Sequence, residues 1–254
     1  MTKQADGRVL YSARQISKSY GPVVACDLVD LDIRAGEILA IVGDNGAGKT
    51  TLVKILSGAI SPDSGSLIRN GQEVTLSSIK QAHDLGIEIV YQELALAPNL
   101  DVVSNVFLGR ELFRKFGFLP YPRVLASKKM IALARTELAR LDVNIPAISG
   151  LSVGRMSGGQ RQSVAIARAV YWASDILFMD EPTAALGVKE SKAVLKLIRK
   201  VADEGVAVIM ISHAMPHVLQ LADRVVVMRN GVKVEDCSAE DLTVESLIKL
   251  IVGA

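Results

Sequence analysis

Residues 43–50 read Gly43-Asp44-Asn45-Gly46-Ala47-Gly48-Lys49-Thr50 and follow the pattern G-x-x-x-x-G-K-[ST]. That spacing suits a phosphate chain. The glycines let backbone N–H groups curl around a β-phosphate, and the helix expected next points its positive end at the same anion. Lys49 is placed to reach the β- and γ-phosphates, the Thr50 hydroxyl to ligate Mg²⁺, and Thr51 to donate to the α-phosphate. A second group, Ile176-Leu177-Phe178-Met179-Asp180-Glu181, is an apolar run ending in two acids. Two carboxylates at the end of a buried strand are costly unless something neutralises them. A Mg²⁺ ion and a phosphate-bound water would explain both. Asp180 suits the metal's shell, and Glu181 suits a base that orients the attacking water. Each motif alone has a plainer reading, a chance glycine turn or a solvated acidic turn. Together they point to a hydrolysed triphosphate.

These groups need elements that hold them. The run Glu37–Val42 is short and continuously apolar, as expected of a buried central strand before the glycine loop, and residues 51–58 carry a helical pattern that Gly58 could end. The N-terminal part, residues 9–33, reads as β-structure with Gly21-Pro22 as a turn. Asn70-Gly71 and Asn230-Gly231 each supply a hairpin turn. Residues 87–91 are another buried-strand candidate. From about 93 to 156 strand signals vanish. Residues 109–124 look like a loop with aromatic anchors. Residues 127–141 read as a helix, with Ser127 as a plausible N-cap and Ile131, Ala134, Leu138 and Leu141 on one face. The core pattern then resumes: a helix from Gly158, the strand 175–180, a helix 188–204, the strand 206–212, a short helix after Met215, the strand 224–228 and a last amphipathic helix. Strands alternating with helices imply an α/β fold with a largely parallel sheet. The expected organisation is one domain over 1–254, with a core from 1–92 and 157–254 and an inserted helical lobe at about 93–156.

Composition narrows the class. The chain has 254 residues, enough for one large α/β domain, and half of them are apolar, which excludes disorder. A net charge of +2, no long Lys/Arg run, and only five Phe, five Tyr and one Trp for base stacking argue against a dedicated nucleic-acid binder. Cys26 and Cys237 form no CxxC pair and read as free thiols. The polar start MTKQADGR gives no secretion signal, and runs such as 38–42 and 206–211 are too short to span a bilayer. The expected location is the cytosol, with any membrane role mediated by another protein.

Met156-Ser157-Gly158-Gly159-Gln160 opens a helix 23 residues ahead of Asp180 (180 − 157) and resembles the LSGGQ signature of ABC ATPases, with Met in first place. Glycine loop, signature and acidic pair in this order resemble the ATP-binding subunits of ABC transporters over most of the chain, from about Val9 to Leu247. The resemblance implies a P-loop NTPase fold of the ABC type: a mixed, mostly parallel sheet, an antiparallel N-terminal β part and an inserted helical lobe. It implies ATP and Mg²⁺ as ligands. Tyr20 matches the aromatic that stacks on adenine. Gln92 matches the Q-loop glutamine, which touches Mg²⁺ and water and links the site to a permease. His213 matches the switch histidine that contacts the γ-phosphate. His83 and His217 lack that placement and read as surface or helix-packing residues. Ser157 and Gly159 would cap the γ-phosphate of a second ATPase subunit, so that ATP joins two subunits in what is expected to be a homodimer.

The stretch 91–111 and the sequence 180–191 further resemble the ATPases of bacterial monosaccharide importers of the ribose, xylose and fructose type. That likeness implies membrane permease subunits, with residues from about 92 to 125 as the contact, a periplasmic sugar-binding protein, no nucleic acid, and a peripheral place on the cytoplasmic face of the inner membrane. One departure stands out. Where the family commonly has the Leu-Asp of the D-loop, this chain has Leu186-Gly187. Other readings remain: a transporter ATPase for an amino acid or lipid, or a soluble ABC protein for DNA repair or translation, though no coiled-coil, zinc insertion or tandem half is seen. A GTPase is disfavoured by the lack of Asn-Lys-x-Asp.

Overall fold

The computed structural model describes residues 7–114 and 124–253. Two long strands, β1 (Val9–Tyr20) and β2 (Val23–Arg34), pair antiparallel across the Gly21-Pro22 turn. β3 (Ile38–Val42) and α1 (Lys49–Leu56) flank the glycine loop. β4 (Ser64–Arg69) and β5 (Gln72–Val74) form a hairpin whose turn residues, Asn70 (φ 49°) and Gly71 (φ 80°), are both left-handed, as a type I′ turn requires. α2 (Ile79–Asp84), capped by the Ser78 side chain accepting from the Gln81 N–H, leads into β6 (Ile87–Val90). The next stretch carries α3 (Val102–Val106) and α4 (Ser127–Arg140). The chain then alternates: α5 (Gly158–Trp172), β7 (Ile176–Asp180), α6 (Val188–Asp203), β8 (Ala207–Ile211), α7 (Met215–Leu221) and β9 (Arg224–Arg229). The Asn230-Gly231 hairpin turns into β10 (Val232–Ser238), and α8 (Val244–Val252) ends the fold.

Two sheets result. The larger has the order β10-β9-β3-β8-β7-β6, parallel throughout except for the antiparallel edge strand β10. The smaller is antiparallel, β2-β1-β4-β5. The pleat explains how one sheet serves two cores. Along β3, Ile38, Ala40 and Val42 face a cluster with α5 and α6 residues such as Val164 and Ile198. Leu39 and Ile41 face the opposite cluster, with Leu52 and Ile55 of α1 and Tyr11, Ile16 and Leu31 of the antiparallel sheet. Every residue of β3, β6 and β8 is buried; this gives β3 and β8 their unbroken apolar reading, while β6 is interrupted by the buried Glu88.

Among the described residues, 93–156 contain no strand longer than an isolated bridge, Asp101 with Ser152 and Phe113 with Leu125. Val102, Phe107, Met130 and Leu138 from this stretch share one continuous apolar cluster with Val42 and Val90 of the sheet. Phe107 is fully buried, with Tyr171 and Trp172 of α5 edge-on at 5.2 and 6.0 Å. Two details differ from the sequence reading. Ser127 is the first helical residue of α4, not its cap. Ala126 holds the cap position without a side-chain bond, because the Phe113–Leu125 bridge and the Ala126 N–H to Leu112 bond fix the entry one residue earlier. On the helix itself Met130, Ala134 and Leu138 are buried, whereas Ile131 is only half-buried. Of the expected aromatic-anchored loop, residues 115–123 lie outside the described residues; 109–114 and Val124 are seen.

Candidate functional site

Four parallel strands, β3, β8, β7 and β6, deliver their C-terminal ends to one cleft of about 620 Å³. Beyond the carboxyl ends of strands is where an open α/β sheet leaves a crevice. β3 feeds the glycine loop, β7 ends in Asp180 and Glu181, β8 runs on to His213, and β6 to Gln92. Residues 180 and 92 are far apart in sequence, yet the β6–β7 pairing, Val90 with Met179, sets them side by side.

The loop is shaped by close backbone approach. Gly43 (φ 151°) and Gly48 (φ 97°) are positions where a Cβ would run into the carbonyl oxygens of Met228 and Ala25. Only glycine fits there. α1 then starts at Lys49 with no side-chain cap and no acid in its first turn. Its first backbone N–H groups lack intrahelical partners and point at the cleft with the positive end of the helix. An anion fits this end. Lys49 is buried, its ammonium donating to the carbonyls of Gly43 at 2.9 Å and Asp44 at 2.8 Å. Burial lowers its pKa, and Glu181, Asp44 and Asp180 act in the opposite direction.

The acids answer the same field. Burial pushes Asp180 above the usual carboxylate range against the pull of Lys49, Lys54 and His213. Burial likewise raises Glu181; His213 opposes this and Asp180 adds to it. Glu181 has φ 51°, a left-handed conformation rare outside glycine that costs about 1–3 kcal/mol, and its N–H bonds to the Ile211 carbonyl at 3.0 Å. The strained turn directs the carboxylate into the cleft. There its Oε1 is buried without a hydrogen bond, 3.6 Å from Nε2 of His213. A buried, unpartnered carboxylate oxygen beside a cleft wants a donor, and a water or metal-bound water is one. Thr50, Gln92 and Asp180 line the same cleft with oxygen donors, the hard ligands Mg²⁺ takes.

Not every expected residue enters. Tyr20 ends β1 half-exposed, with the Lys18 ammonium 5.9 Å from its ring; the cleft wall on that side is Val23 and Ala25 of β2. Ser157 and Gly159 lie on a different depression, bordered by α6. Ser157 caps α5 in a reciprocal box: its hydroxyl accepts from Gln160 N–H at 3.2 Å, and Gln160 Oε1 accepts from Ser157 N–H at 3.0 Å.

A family profile described as ABC transporter matches residues 26–184, more than half the chain, running from within β2 through the glycine loop and past both acids. The chain belongs to the ABC transporter family. It carries that family's nucleotide binding and ATP hydrolysis. A fructose import ATP-binding protein of Rhizobium meliloti is 44% identical over 246 residues, 96% of this chain and 94% of that protein. A xylose/arabinose import ATP-binding protein of Sulfolobus acidocaldarius is 41% identical over 242 residues, 95% and 93% respectively. A ribose import ATP-binding protein of Yersinia pestis is 41% identical over 244 residues, but the chain spans only 46% of it. Among solved structures, a nucleotide-free ATP-binding cassette from an ABC transporter superposes with a TM-score of 0.79 over 96% of both chains at 21% identity, which speaks to the fold.

Some groups around this family's site gave no sequence signal. His217 binds the Thr183 hydroxyl at 3.1 Å behind Glu181, a packing role that fits its expected one. His83 is not a plain surface residue. It contacts Arg110 and lies 3.4 Å from Glu88, which also pairs with Arg110 at 2.8 Å. Arg110 in turn lies 4.7 Å over the Trp172 ring. This network links β6 and α2 to the loop after α3 and to α5. Its members are scattered between residues 83 and 172, so no local motif could announce it. No helix among the described residues is long and apolar enough to cross a membrane.

Proposed function

We propose that this chain is the peripheral ATPase of a monosaccharide importer, working as a homodimer beneath a membrane permease. The observation that carries the reading is the convergence of Lys49, Asp180, Glu181, Gln92 and His213 at neighbouring strand ends. The sugar class follows the names of the relatives, fructose, xylose/arabinose and ribose. Fructose is the specific sugar we put first, on the 44% likeness.

Lys49 leaves the Gly43 and Asp44 carbonyls and turns to the β- and γ-phosphates, while the amides of residues 46–51 wrap the β-phosphate. Thr51 donates to the α-phosphate, and Tyr20 at the rim meets the adenine. Thr50, Asp180 and Gln92 would hold Mg²⁺, which would supply neutralisation of charge on the phosphate oxygens. Glu181 accepts a hydrogen bond from the attacking water and takes its proton. His213 contacts the γ-phosphate oxygens and orients Glu181. Ser157, Gly159 and the α5 N-terminus of the second copy close over the γ-phosphate. Bound ATP therefore favours the closed pair, and its hydrolysis lets the copies part. Residues 1–92 and 157–254 form the catalytic core and about 93–156 the lobe facing the permease. A periplasmic sugar-binding protein completes the system on the far side of the inner membrane.

The test is recovery of the tagged chain from solubilised membranes, followed by ATPase assays of the recovered complex with a panel of sugars. Co-purification of a permease and stimulation by a monosaccharide are expected. Recovery of DNA or ribosomes without a membrane protein, or stimulation by amino acids or lipids alone, would overturn the reading.

A further inference from the structure

Position 187, where the family commonly carries an acid, is glycine, and its backbone gives no reason for that. Gly187 is the N-cap of α6 with φ −67° and ψ 169°, an extended conformation open to any residue and typical of a capping aspartate. What stands over the position is a neighbouring side chain. A Cβ at 187 would stand 2.5 Å from Oε2 of Glu190 and 3.5 Å from its Cδ. The Glu190 carboxylate thus occupies the volume that an aspartate side chain at 187 would use.

We propose that Glu190 supplies, from the first turn of α6, the carboxylate that position 187 lacks, and that it positions the Ser157–Gly159 helix tip for the second copy's triphosphate. Glu190 is the only acid in that turn, and no side chain caps the helix at Gly187. A carboxylate three residues past the cap complements the unpaired N–H groups and positive end of α6. The same side chain lies on the signature. A Cβ at Gly159 would meet Glu190 Cγ at 2.7 Å and Cβ at 2.9 Å, so the absent Cβ of Gly159 lets Glu190 pack flat against α5. Leu186 reaches Gly158 in the same way, at 3.4 Å from its would-be Cβ. Glu190, Ser157, Gly159 and Gln160 border one depression. The segment leaving Glu181 therefore ends, within nine residues, on the helix tip that serves the other copy's site.

This rests on the two-copy reading above, and the experiment separates the two. The full chain is purified as wild type, Glu190→Ala, Glu190→Gln, and the double variant Gly187→Asp/Glu190→Ala, and kcat and KM for ATP are measured. Contacts within one cleft are untouched in every variant. Glu190→Ala is expected to lower kcat roughly ten- to a hundredfold, the scale of a misplaced catalytic group, with KM changed little. The double variant is expected to recover most of the loss, because aspartate at 187 restores the carboxylate to the same volume. Glu190→Gln keeps the packing on Gly159 and should still lose kcat, which covers the case of an alanine variant that does not fold. Wild-type turnover in Glu190→Ala or Glu190→Gln, or no recovery in the double variant, overturns the proposal. A wild-type chain that neither hydrolyses ATP nor pairs in its presence sinks the two-copy reading instead.

Discussion

Replacing Glu181 by Gln changes one atom and separates binding from chemistry. Glu181 Oε1 is buried with no hydrogen bond, and burial, with Asp180 beside it, holds the carboxyl above its usual range. A general base is worth about 10²–10⁴ in rate, so the amide should cost about 3–5 kcal/mol of barrier and leave turnover at or below about 1%. Nucleotide binding moves the other way. A unit negative charge about 4 Å from a phosphate oxygen costs on the order of 4 kcal/mol near a protein surface, and the amide removes it. The variant should therefore hold ATP more tightly and accumulate as a dimer. Stability follows from the same burial. A carboxyl whose folded pKa is raised favours the protonated folded state, so wild type loses stability as pH rises from the unfolded-state value through the raised one. The variant has no such loss. Its melting-temperature advantage should be full at neutral pH, shrink as pH falls through the raised value and vanish below the unfolded-state value. The assays are phosphate release, size-exclusion chromatography with Mg-ATP, and thermal melts at several pH values. Turnover equal to wild type would refute the assignment of the base. A variant that melts lower than wild type at neutral pH would refute the reasoning about burial.

Other outcomes follow from the packing. Gly48→Ala forces a Cβ onto the Ala25 carbonyl at φ 97°, where the obstacle is backbone; we expect a loss of about 2–4 kcal/mol by denaturant unfolding and no nucleotide uptake by filter binding. Phe107→Ala empties the pocket between Tyr171 and Trp172 and should cost about 3–5 kcal/mol in urea unfolding, with Trp172 fluorescence shifting toward that of an exposed indole. Arg110→Met strips the ion pair from Glu88, whose carboxyl burial already raises. A loss of about 3 kcal/mol is expected at neutral pH, smaller in acid where Glu88 protonates, and reversed largely by adding Glu88→Gln. Thermal melts of the single and double variants decide it.

Local chemistry decided what could be read without coordinates. The glycine loop, the acidic strand end and the helix-opening serine-glycine run are contiguous, because a phosphate is cradled by consecutive backbone amides and a helix end is built from consecutive residues. The two Asn-Gly hairpins and the apolar strands β3, β7 and β8 were legible for the same reason: left-handed turn residues and two-faced burial leave a mark on neighbouring positions. Short or uncapped elements left weaker marks. α2 spans six residues with one buried, too few for a period, and α4 begins at a site chosen by the distant Phe113–Leu125 bridge.

Tertiary structure alone decided the rest. Strand order set Gln92 beside Asp180, and it aligned four strand ends into one cleft, since parallel neighbours are joined by long crossovers whose order sequence does not encode locally. It drew Glu88, Arg110 and His83 into one network and placed Val23 and Ala25 as the cleft wall. The substitution at 187 was visible as a missing acid. That Glu190 fills the vacated space became visible only once the turn of α6 folded the longer side chain back over the glycine, because side chains three apart on a helix meet in space and not in sequence.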